Sequence, residues 1–409
     1  MNLKNFFNPK TIAVIGASNN PKKVGNVLMK KLSSFKGKIV PVNIKHKKIL
    51  GKESYPSVTK YTEKIDLAII AIPAKIVKKI LEDCGNKRIK NVIIISAGFS
   101  ETGNKKLEQE IIKVAKKYKI NLLGPNCFGI TNPYSNLDTT FANTSAKKGN
   151  IAFISQSGAL WSYLSDISAS NKIGLGFSGF VSLGNMADLN FSDFIDYFNR
   201  DKKTKKIILY IEKLKQGKRF INICKKSKKE IIVVKAGKTE KGSRAAISHT
   251  GSLATDFEVY KGAFKQAHVK LLDSLSSAFN FKKSKIKIPI KTKGNKVVII
   301  TNAGGGGALM TDYLIKKGFD VKPPIDLIGT ASAKDYKTAL SKLKNKNHNS
   351  IIVILTPQRM SEPEKTAQVI VDFKKQNKKY ISAFFLGEKS INKARSILKK
   401  NKIPCFTRI

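Results

Sequence analysis

The histidine at position 249 lies among small and hydroxyl-bearing residues that leave its imidazole sterically accessible. It is one of only four histidines in the chain, within the segment Ser248-His249-Thr250-Gly251-Ser252. An apolar run at residues 231–234 predicts a strand before it, so we expect a loop at residues 243–254. A histidine on such a loop can act as a nucleophile that meets more than one reaction partner. Most lone histidines in loops have no catalytic role, so the surrounding residues must decide.

A carboxylate that could orient this imidazole follows another apolar run. Glu212 ends the stretch Leu209-Tyr210-Ile211-Glu212, which we predict to be a fully buried strand. At the end of that strand the carboxylate should face the same crevice as His249. It could then accept a hydrogen bond from one ring nitrogen and make the other more nucleophilic. The alternative is an ordinary ion pair with neighbouring lysines.

Two serines and a glycine stand where a third strand is expected to lead into a helix. Ser155, Ser157 and Gly158 belong to the turn Ser155-Gln156-Ser157-Gly158. Hydroxyls and free backbone N–H groups at a helix N-terminus can bind a phosphate or an acyl phosphate. Simple capping of the helix by either serine explains the same residues equally well.

The N-terminal part of the chain offers a second anion site and a long groove. Gly16, Ser18 and Lys23 belong to a small-residue turn after the first predicted strand, which lacks the G-x-G-x-x-G pattern of dinucleotide sites. Such a turn suits a phosphate, although a tight turn that serves only the fold is the alternative. Further small-residue turns follow the next strands, and they contain Val42 and Asn43, Ile72 and Pro73, Ala97 and Gly98, and Asn126 and Cys127. Because ligands of open α/β sheets bind at these strand ends, the turns favour an extended ligand groove.

The elements that position these residues are short apolar strands alternating with lysine-rich amphipathic helices. This alternation predicts an α/β protein with parallel sheets. The predicted strands fall into three modules, at residues 1–146, 147–281 and 295–409, joined after the second by a basic linker at 282–294. We expect the first module to be Rossmann-like. Each module begins with a strand, a turn rich in glycine or serine, and a helix.

Composition limits the classes of function. The 77 lysines and arginines against 28 acidic residues give a net charge of +49. The charge is almost entirely lysine and is spread over the whole length, whereas nucleic-acid readers favour arginine concentrated on one face. Nucleic-acid binding is therefore disfavoured. An acidic partner or an anionic substrate is another explanation of the positive charge. No apolar run is long enough to span a membrane, and no secretory leader is visible, so we expect a cytoplasmic protein.

Several familiar site types are missing from the sequence. The four cysteines are far apart without C-x-x-C spacing, and no two histidines have the spacing of metal ligands, so no metal site is predicted. There is no G-x-S-x-G, no H-E-x-x-H and no G-x-x-x-x-G-K-[ST] motif. These absences disfavour a hydrolase, a zinc peptidase and a nucleotide site of the P-loop type.

Taken together, the motifs resemble the α subunit of ADP-forming acetyl-CoA synthetases, which are relatives of the succinyl-CoA synthetase α subunit. The resemblance covers nearly the whole chain, and it rests on the turns already described, on 124–129, on Tyr210-Ile211-Glu212, on 248–254, on 301–305, on Pro324-Ile325-Asp326-Leu327 and on 355–358. It implies an N-terminal Rossmann-like CoA-binding domain followed by two flavodoxin-like ligase domains.

The resemblance also implies a mechanism and assigns roles. CoA would bind the first module, with its phosphates near Gly16, Ser18 and Lys23 and its pantetheine along the turns at 72–73, 97–99 and 126–129. An acyl phosphate would form at Ser155, Ser157 and Gly158. His249 would take the phosphoryl group, held by Glu212, and its loop would swing towards a nucleotide.

That nucleotide is expected on a partner. The resemblance implies an ATP-grasp β subunit that supplies Mg²⁺ and ADP or ATP, in a hetero-oligomer of the α2β2 type. The remaining substrates would be a small carboxylic acid and phosphate.

The chain departs from the family pattern in its third module. It lacks a helical segment between Phe319 and Pro324, carries Pro323 where relatives have asparagine, and ends at Ile409 without a final helix. These gaps keep a second hypothesis open, that of a non-catalytic paralogue that binds CoA or acyl-CoA without turnover. The intact residues around His249 oppose it.

Overall fold

The fold consists of three successive, mainly parallel sheets flanked by helices. The computed structural model describes residues 3–250, 256–281, 295–344, 346, 348–377 and 379–409, with the side chains of 247–250 outside the description. The predicted basic linker at 282–294 lies outside the described residues.

The first module is a five-stranded parallel sheet in the order β2-β1-β5-β6-β7, accompanied by a short antiparallel hairpin, β3-β4. Its strands are β1 (Thr11–Ile15), β2 (Lys38–Val42), β3 (Lys48–Ile49), β4 (Lys52–Glu53), β5 (Leu67–Ile70), β6 (Asn91–Ile94) and β7 (Asn121–Leu123). Its helices are α1 (Lys4–Phe7), α2 (Val24–Lys31), α3 (Ala74–Asn86) and α4 (Lys105–Tyr118). The chain order of the strands reverses between β1 and β5, which opens a crevice at their carboxyl ends.

The parallel strands of the second module follow one another in the same spatial order as those of the first, within a larger sheet. Its strands are β8 (Ile130–Asn132), β9 (Leu137–Asp138), β10 (Lys148–Ser155), β11 (Phe177–Ser182), β12 (Lys206–Ile211), β13 (Glu230–Lys235) and β14 (Lys270–Leu272). Its helices are α5 (Ala159–Ala169), α6 (Phe191–Arg200), α7 (Gly217–Lys225), α8 (Glu240–Thr250), α9 (Phe257–Gln266) and α10 (Leu275–Ala278). The sheet runs β14-β13-β12-β10-β11-β8-β9, with β8 and β9 antiparallel, so β10 and β12 flank its crevice.

The third module has the same plan again. Its strands are β15 (Lys296–Thr301), β16 (Asp320–Val321), β17 (Ile325–Asp326), β18 (Ser350–Leu355), β19 (Tyr380–Phe385) and β20 (Cys405–Phe406). Its helices are α11 (Gly304–Lys316), α12 (Ala333–Leu343), α13 (Pro363–Gln376) and α14 (Asn392–Lys400). The order β16-β15-β18-β19-β20, with β17 also on β15, forms a parallel sheet.

Apolar runs explain why these strands form. Strands such as β5, β6 and β18 are buried at every position, as expected for parallel strands covered on both faces. Two hydrophobic cores cross module boundaries, one joining the first and second modules and the other the second and third. Phe6 and Phe7 of α1, for example, pack edge-on against Phe194 of α6. Neighbouring modules therefore share buried apolar surface.

Two features differ from the sequence-based expectation. Residues 240–250 form the helix α8, although we predicted a loop from residue 243 onwards. The helix forms because Thr239 caps its start and because its alanines favour helix. The rest of the predicted loop, at 251–255, lies outside the described part. The hairpin β8-β9 joins the second sheet, although it precedes residue 147. The module boundary at 146 stays a prediction. Among the described residues, no helix has the length and apolar character needed to cross a membrane.

Candidate active site

The turn after β10 brings the two predicted serines to the start of α5. The Ser155 hydroxyl donates a hydrogen bond to the Ser157 carbonyl at 2.7 Å, and both residues are buried. Gly158 precedes α5, and a Cβ at this position would lie 2.3 Å from Cβ of Phe128. Any side chain at position 158 would therefore force this turn away from Phe128. The unpaired N–H groups of a helix start can bind an anion here.

Glu212 lies beside this turn because β12 neighbours β10 in the sheet. The side-chain oxygen of Gln156 accepts hydrogen bonds from the backbone N–H groups of Glu212 and Lys213, at 2.7 and 2.8 Å. Glu212 is only 6% exposed. One buried amide thus ties the serine turn to the backbone that carries the carboxylate.

A buried lysine adds a positive charge next to Glu212. The Lys235 ammonium, at the end of β13, donates to the backbone carbonyl of Glu212 at 2.9 Å and to that of Ala236. It also lies 4.5 Å from the centre of the Tyr260 ring. Burial lowers the pKa of Lys235 to about 8, although Asp312 and Glu212 act in the opposite direction.

The predicted nucleophile lies on α8, the helix that follows β13. Thr239 caps this helix, since its hydroxyl accepts a hydrogen bond from the Gly242 N–H at 3.0 Å. His249 stands in the last turn of α8, and its side chain lies outside the described part. The expected hydrogen bond between His249 and Glu212 therefore stays a prediction.

The third module contributes a second helix start to the same place. The Tyr210 hydroxyl of β12 donates to the Gly305 carbonyl in the first turn of α11, at 3.1 Å. A Cβ at Gly305 would lie 2.6 Å from Cβ of Ser157. The N-termini of α5 and α11 thus converge, and their dipoles together favour a negatively charged ligand. Burial and the nearby Glu212 raise the pKa of Tyr210, so its hydroxyl stays protonated.

The turn after β1 is shaped by close backbone contacts. Gly16 has φ +91°, and its N–H donates to the Val42 carbonyl at 3.0 Å. A Cβ at Gly25, near the start of α2, would lie 1.9 Å from the Gly16 carbonyl oxygen. Ser18 is buried within this turn, whereas the Lys23 side chain is exposed just before α2. The turn leaves backbone N–H groups and a lysine at a helix N-terminus, which fits a phosphate.

Further predicted groove residues line the same strand ends. The Asn43 amide donates to the carbonyl of Ala17 at 2.8 Å, which joins the turn after β2 to the turn after β1. The Ile72 N–H donates to the Ser96 hydroxyl at 3.1 Å, and Pro73 immediately precedes α3. These contacts join the neighbouring turns at the carboxyl edge of the first sheet.

The groove continues to the junction with the second module. Gly98, which follows Ala97, has φ +111°, and its N–H donates to the Glu101 carboxylate at 2.6 Å. The Asn185 amide, from the turn after β11, donates to Glu101 at 2.6 Å and accepts from Asn126 at 3.3 Å. The edge of the first sheet therefore meets the second module at Asn185.

Cys127 is placed differently from the other groove residues. Its thiol is buried and donates to the Ile94 carbonyl at 3.2 Å, and burial raises its pKa to about 12. The side chain points into the core, so a groove ligand can reach this residue only through its backbone.

Three side chains at the site were not among the predicted site residues: Gln156, Lys235 and Asn185. Gln156 lay unassigned within a predicted turn. Lys235 interrupts the end of an otherwise apolar run, and a charge at that position could have drawn attention to it. Asn185 becomes visible only when the modules are packed together.

Two family models match this chain. A CoA binding domain matches residues 10–133, and a succinyl-CoA ligase like flavodoxin domain matches residues 148–284. The α subunit of ADP-forming acetate–CoA ligase II from Pyrococcus furiosus is 42% identical over 98% of this chain and 94% of its own length. The chain belongs to the family of ADP-forming acetate–CoA ligase α subunits. The resemblance inferred from the motifs and the predicted fold class are confirmed.

Other relatives extend the comparison to different acids and to solved structures. A 4-hydroxybutyrate–CoA ligase (ADP-forming) from Nitrosopumilus maritimus is 35% identical over 98% of this chain and 62% of its own length. An acetyl-coenzyme A synthetase from Ca. Korarchaeum cryptofilum, solved with phosphate and ADP, has a TM-score of 0.66 and 35% identity, covering 100% of this chain and 94% of that one. Family membership thus extends over all three modules.

Proposed function

We propose that this chain catalyses the acyl and phosphoryl steps of an ADP-forming acyl-CoA synthetase. The observation that carries the proposal is the serine turn of α5, tied through Gln156 to buried Glu212 and met by the start of α11. This arrangement supplies helix dipoles for an anion and a carboxylate beside it. Phosphoryl transfer asks mainly for such positioning and charge stabilisation.

The chemistry has three balanced steps. Phosphate attacks the thioester carbonyl of acyl-CoA, which gives an acyl phosphate and releases CoA thiol. An imidazole nitrogen of His249 then attacks the phosphorus, which breaks the bond to the acyl oxygen, releases the carboxylate and leaves phosphohistidine. ADP takes the phosphoryl group and becomes ATP, and the histidine is restored. The reverse sequence activates the acid with ATP.

The residues have distinct roles in these steps. CoA lies along the first sheet, its phosphates at Gly16, Ser18 and Lys23. Its pantetheine follows the turns that contain Ile72 and Pro73, Ala97 and Gly98, and Asn126 and Cys127. Val42 and Asn43 also belong to the CoA groove. The acyl phosphate occupies the turn formed by Ser155, Ser157 and Gly158. Glu212 holds the His249 imidazole in the reactive tautomer.

A second subunit completes the reaction. The relatives from Pyrococcus furiosus are named as α subunits, which supports a partner chain. We infer that this partner is an ATP-grasp β subunit that holds Mg²⁺ and ADP or ATP, in an α2β2 assembly. Within the described part of this chain, no group of three or more metal-binding side chains is present. The protein would act in the cytoplasm.

The acid is a small carboxylate. Relatives are named for acetate and for 4-hydroxybutyrate, so the acyl group of this chain is to be found by testing short acids of both kinds. The alternative of a non-catalytic CoA-binding paralogue is not favoured, because the chain aligns with the named ligases over nearly its whole length.

The test is an assay of the chain co-purified with the ATP-grasp subunit of the same organism. Acetyl-CoA, phosphate, ADP and Mg²⁺ should yield ATP at a steady rate. Glu212→Gln should lower that rate by about a hundredfold or more, because a neutral amide no longer stabilises the charged imidazole. A wild-type rate in this variant would overturn the role of Glu212, and no ATP from the wild-type complex with any short acyl-CoA would overturn the activity.

A further inference from the structure

A buried aspartate of the third module grips the start of the helix that carries His249. Asp312 lies on α11, and it is 8% exposed. Its carboxylate accepts hydrogen bonds from the backbone N–H groups of Gly237, Lys238 and Thr239, at 2.7, 3.0 and 2.9 Å. The Thr239 hydroxyl donates to it at 2.8 Å. One carboxylate thus binds three of the four residues that connect β13 to α8.

The grip continues directly into α8. The Thr239 hydroxyl that donates to Asp312 also accepts from the Gly242 N–H in the first turn. A Cβ at Gly242 would lie 1.9 Å from an oxygen of Asp312, so the glycine permits the close approach. A chain of hydrogen bonds therefore runs from α11 through Thr239 to α8.

An equivalent contact runs in the opposite direction, from Asp166 of the second module to the third module. Asp312 stands eleven residues after Thr301, where β15 ends, and Asp166 stands eleven residues after Ser155, where β10 ends. The Asp166 carboxylate accepts from the N–H groups of Glu388 and Ser390, at 2.8 and 3.1 Å, in the connection that leads to α14. Each ligase module therefore uses an aspartate of its first helix to hold the fourth strand–helix connection of the other.

The two helices so held differ in chemistry. α8 carries His249, whereas α14 contains no histidine. α8 packs along α11 and also contacts the short turn Ser100–Thr102 of the first module, which follows the predicted groove. His249 lies ten residues beyond Thr239, about 15 Å along the helix axis, so a tilt of about ten degrees at the start would move the far end by roughly 2.6 Å. Displacements of about 1 Å can cost a hundredfold in rate.

We propose that Asp312 is a positioning residue that fixes the direction of α8 and so presents His249 to the phosphoryl donor. This inference rests on the proposed function. Because Asp312 lies on α11, the third module would contribute to phosphoryl transfer by positioning α8.

The experiment compares Asp312→Asn with Asp166→Asn in the chain co-purified with its ATP-grasp subunit. The readouts are the rate of ³²P incorporation from [γ-³²P]ATP with Mg²⁺ by rapid quench, the dissociation constant for CoA and the melting temperature. Asp312→Asn should slow labelling between about tenfold and a hundredfold with CoA affinity unchanged. Asp166→Asn loses the corresponding contacts and should label within about twofold of wild type at a similar loss of melting temperature.

The outcomes separate this inference from the proposed function. Wild-type labelling in Asp312→Asn, or an equal loss in Asp166→Asn, would overturn the positioning role. If Asp312→Asn does not fold, Thr239→Val compared with Ser390→Ala decides: slower labelling only in Thr239→Val supports the role, and equal rates overturn it. Labelling that persists in His249→Ala would instead overturn the proposed function.

Discussion

Two neighbouring glycines in the first turn of α11 should respond in opposite ways to alanine. A Cβ at Gly305 would lie 2.6 Å from Cβ of Ser157 and 2.8 Å from the Tyr210 hydroxyl, whereas the nearest atom to a Cβ at Gly306 is 3.6 Å away. Ordinary contacts begin at 3.4 Å. Gly305→Ala therefore forces Ser157 to move by about 0.8 Å or strains α11, as overpacked cores do.

The expected magnitudes follow from these distances. Overpacking costs about 1–3 kcal/mol, and alanine in a helix recovers about 0.5–1 kcal/mol relative to glycine. Gly305→Ala should lower the free energy of unfolding by about 1 kcal/mol, the difference between the centres of these two ranges, while Gly306→Ala should raise it by about 0.5–1 kcal/mol. Because Ser157 belongs to the proposed acyl phosphate site, Gly305→Ala should also slow turnover about tenfold to a hundredfold.

The assay is urea denaturation of both variants together with turnover of the complex. Gly306→Ala is the matched control, since it makes the same chemical change one residue away. The reasoning is refuted if Gly305→Ala is as stable and active as wild type, or if both variants lose stability and turnover equally. A loss of stability without a loss of turnover would contradict only the role of Ser157 in the acyl phosphate site.

Three further perturbations test other parts of the site. Gly25→Ala should weaken CoA binding about tenfold or more, measured by calorimetry, because its Cβ would lie 1.9 Å from the Gly16 carbonyl oxygen and open that turn. Cys127→Ala should keep CoA affinity within about threefold, and the native Cys127 thiol, with its pKa raised to about 12, should resist alkylation at neutral pH. The free energy of unfolding should rise by about 2 kcal/mol between pH about 8 and about 9.5 because of Lys235, and Lys235→Met should remove that rise.

The sign of the Lys235 effect follows from its lowered pKa. The native lysine releases its proton near pH 8, and the unfolded one near 10.5. The unfolded chain binds more protons between these values, so stability increases with pH across that window. A pH profile identical in wild type and Lys235→Met would contradict the burial of the charge.

The other two predictions have their own controls. Gly262→Ala in α9 meets no atom within 4 Å, so it should leave CoA affinity unchanged and serves as the control for Gly25→Ala. Gly25→Ala with wild-type affinity would count against a ligand at the Gly16 turn. A tenfold or greater loss of CoA affinity in Cys127→Ala would mean that the thiol reaches the groove.

Two of the strands that carry the site were located from apolar runs, and the reason is physical. The runs at 209–211 and 231–234 lie within β12 and β13, since parallel strands covered on both faces need apolar side chains at nearly every position. The candidate turns could be found as well, since parallel sheets place their ligand sites at strand ends. The fold class therefore followed from the pattern alone.

Other features depend on tertiary contacts and leave little trace in the pattern. The stretch at 243–250 is rich in serine, threonine and alanine, which led us to predict a loop, but Thr239 receives its cap partner and Asp312 its hydrogen bonds only in the folded chain. The exchange of aspartate contacts between the two ligase modules joins residues more than 70 positions apart. The packing of Gly305 on Ser157 is equally remote in sequence. Such pairs cannot be deduced from local propensity.

The central claim is that His249 carries the phosphoryl group. The most direct measurement is labelling of the complex with [γ-³²P]ATP and Mg²⁺, comparing wild type with His249→Ala. The account predicts a label on this chain that is labile to acid and stable to base, and that is absent from His249→Ala, while both proteins bind CoA equally. Label of the same kind in His249→Ala, or no label in a wild-type complex that binds CoA, would contradict it.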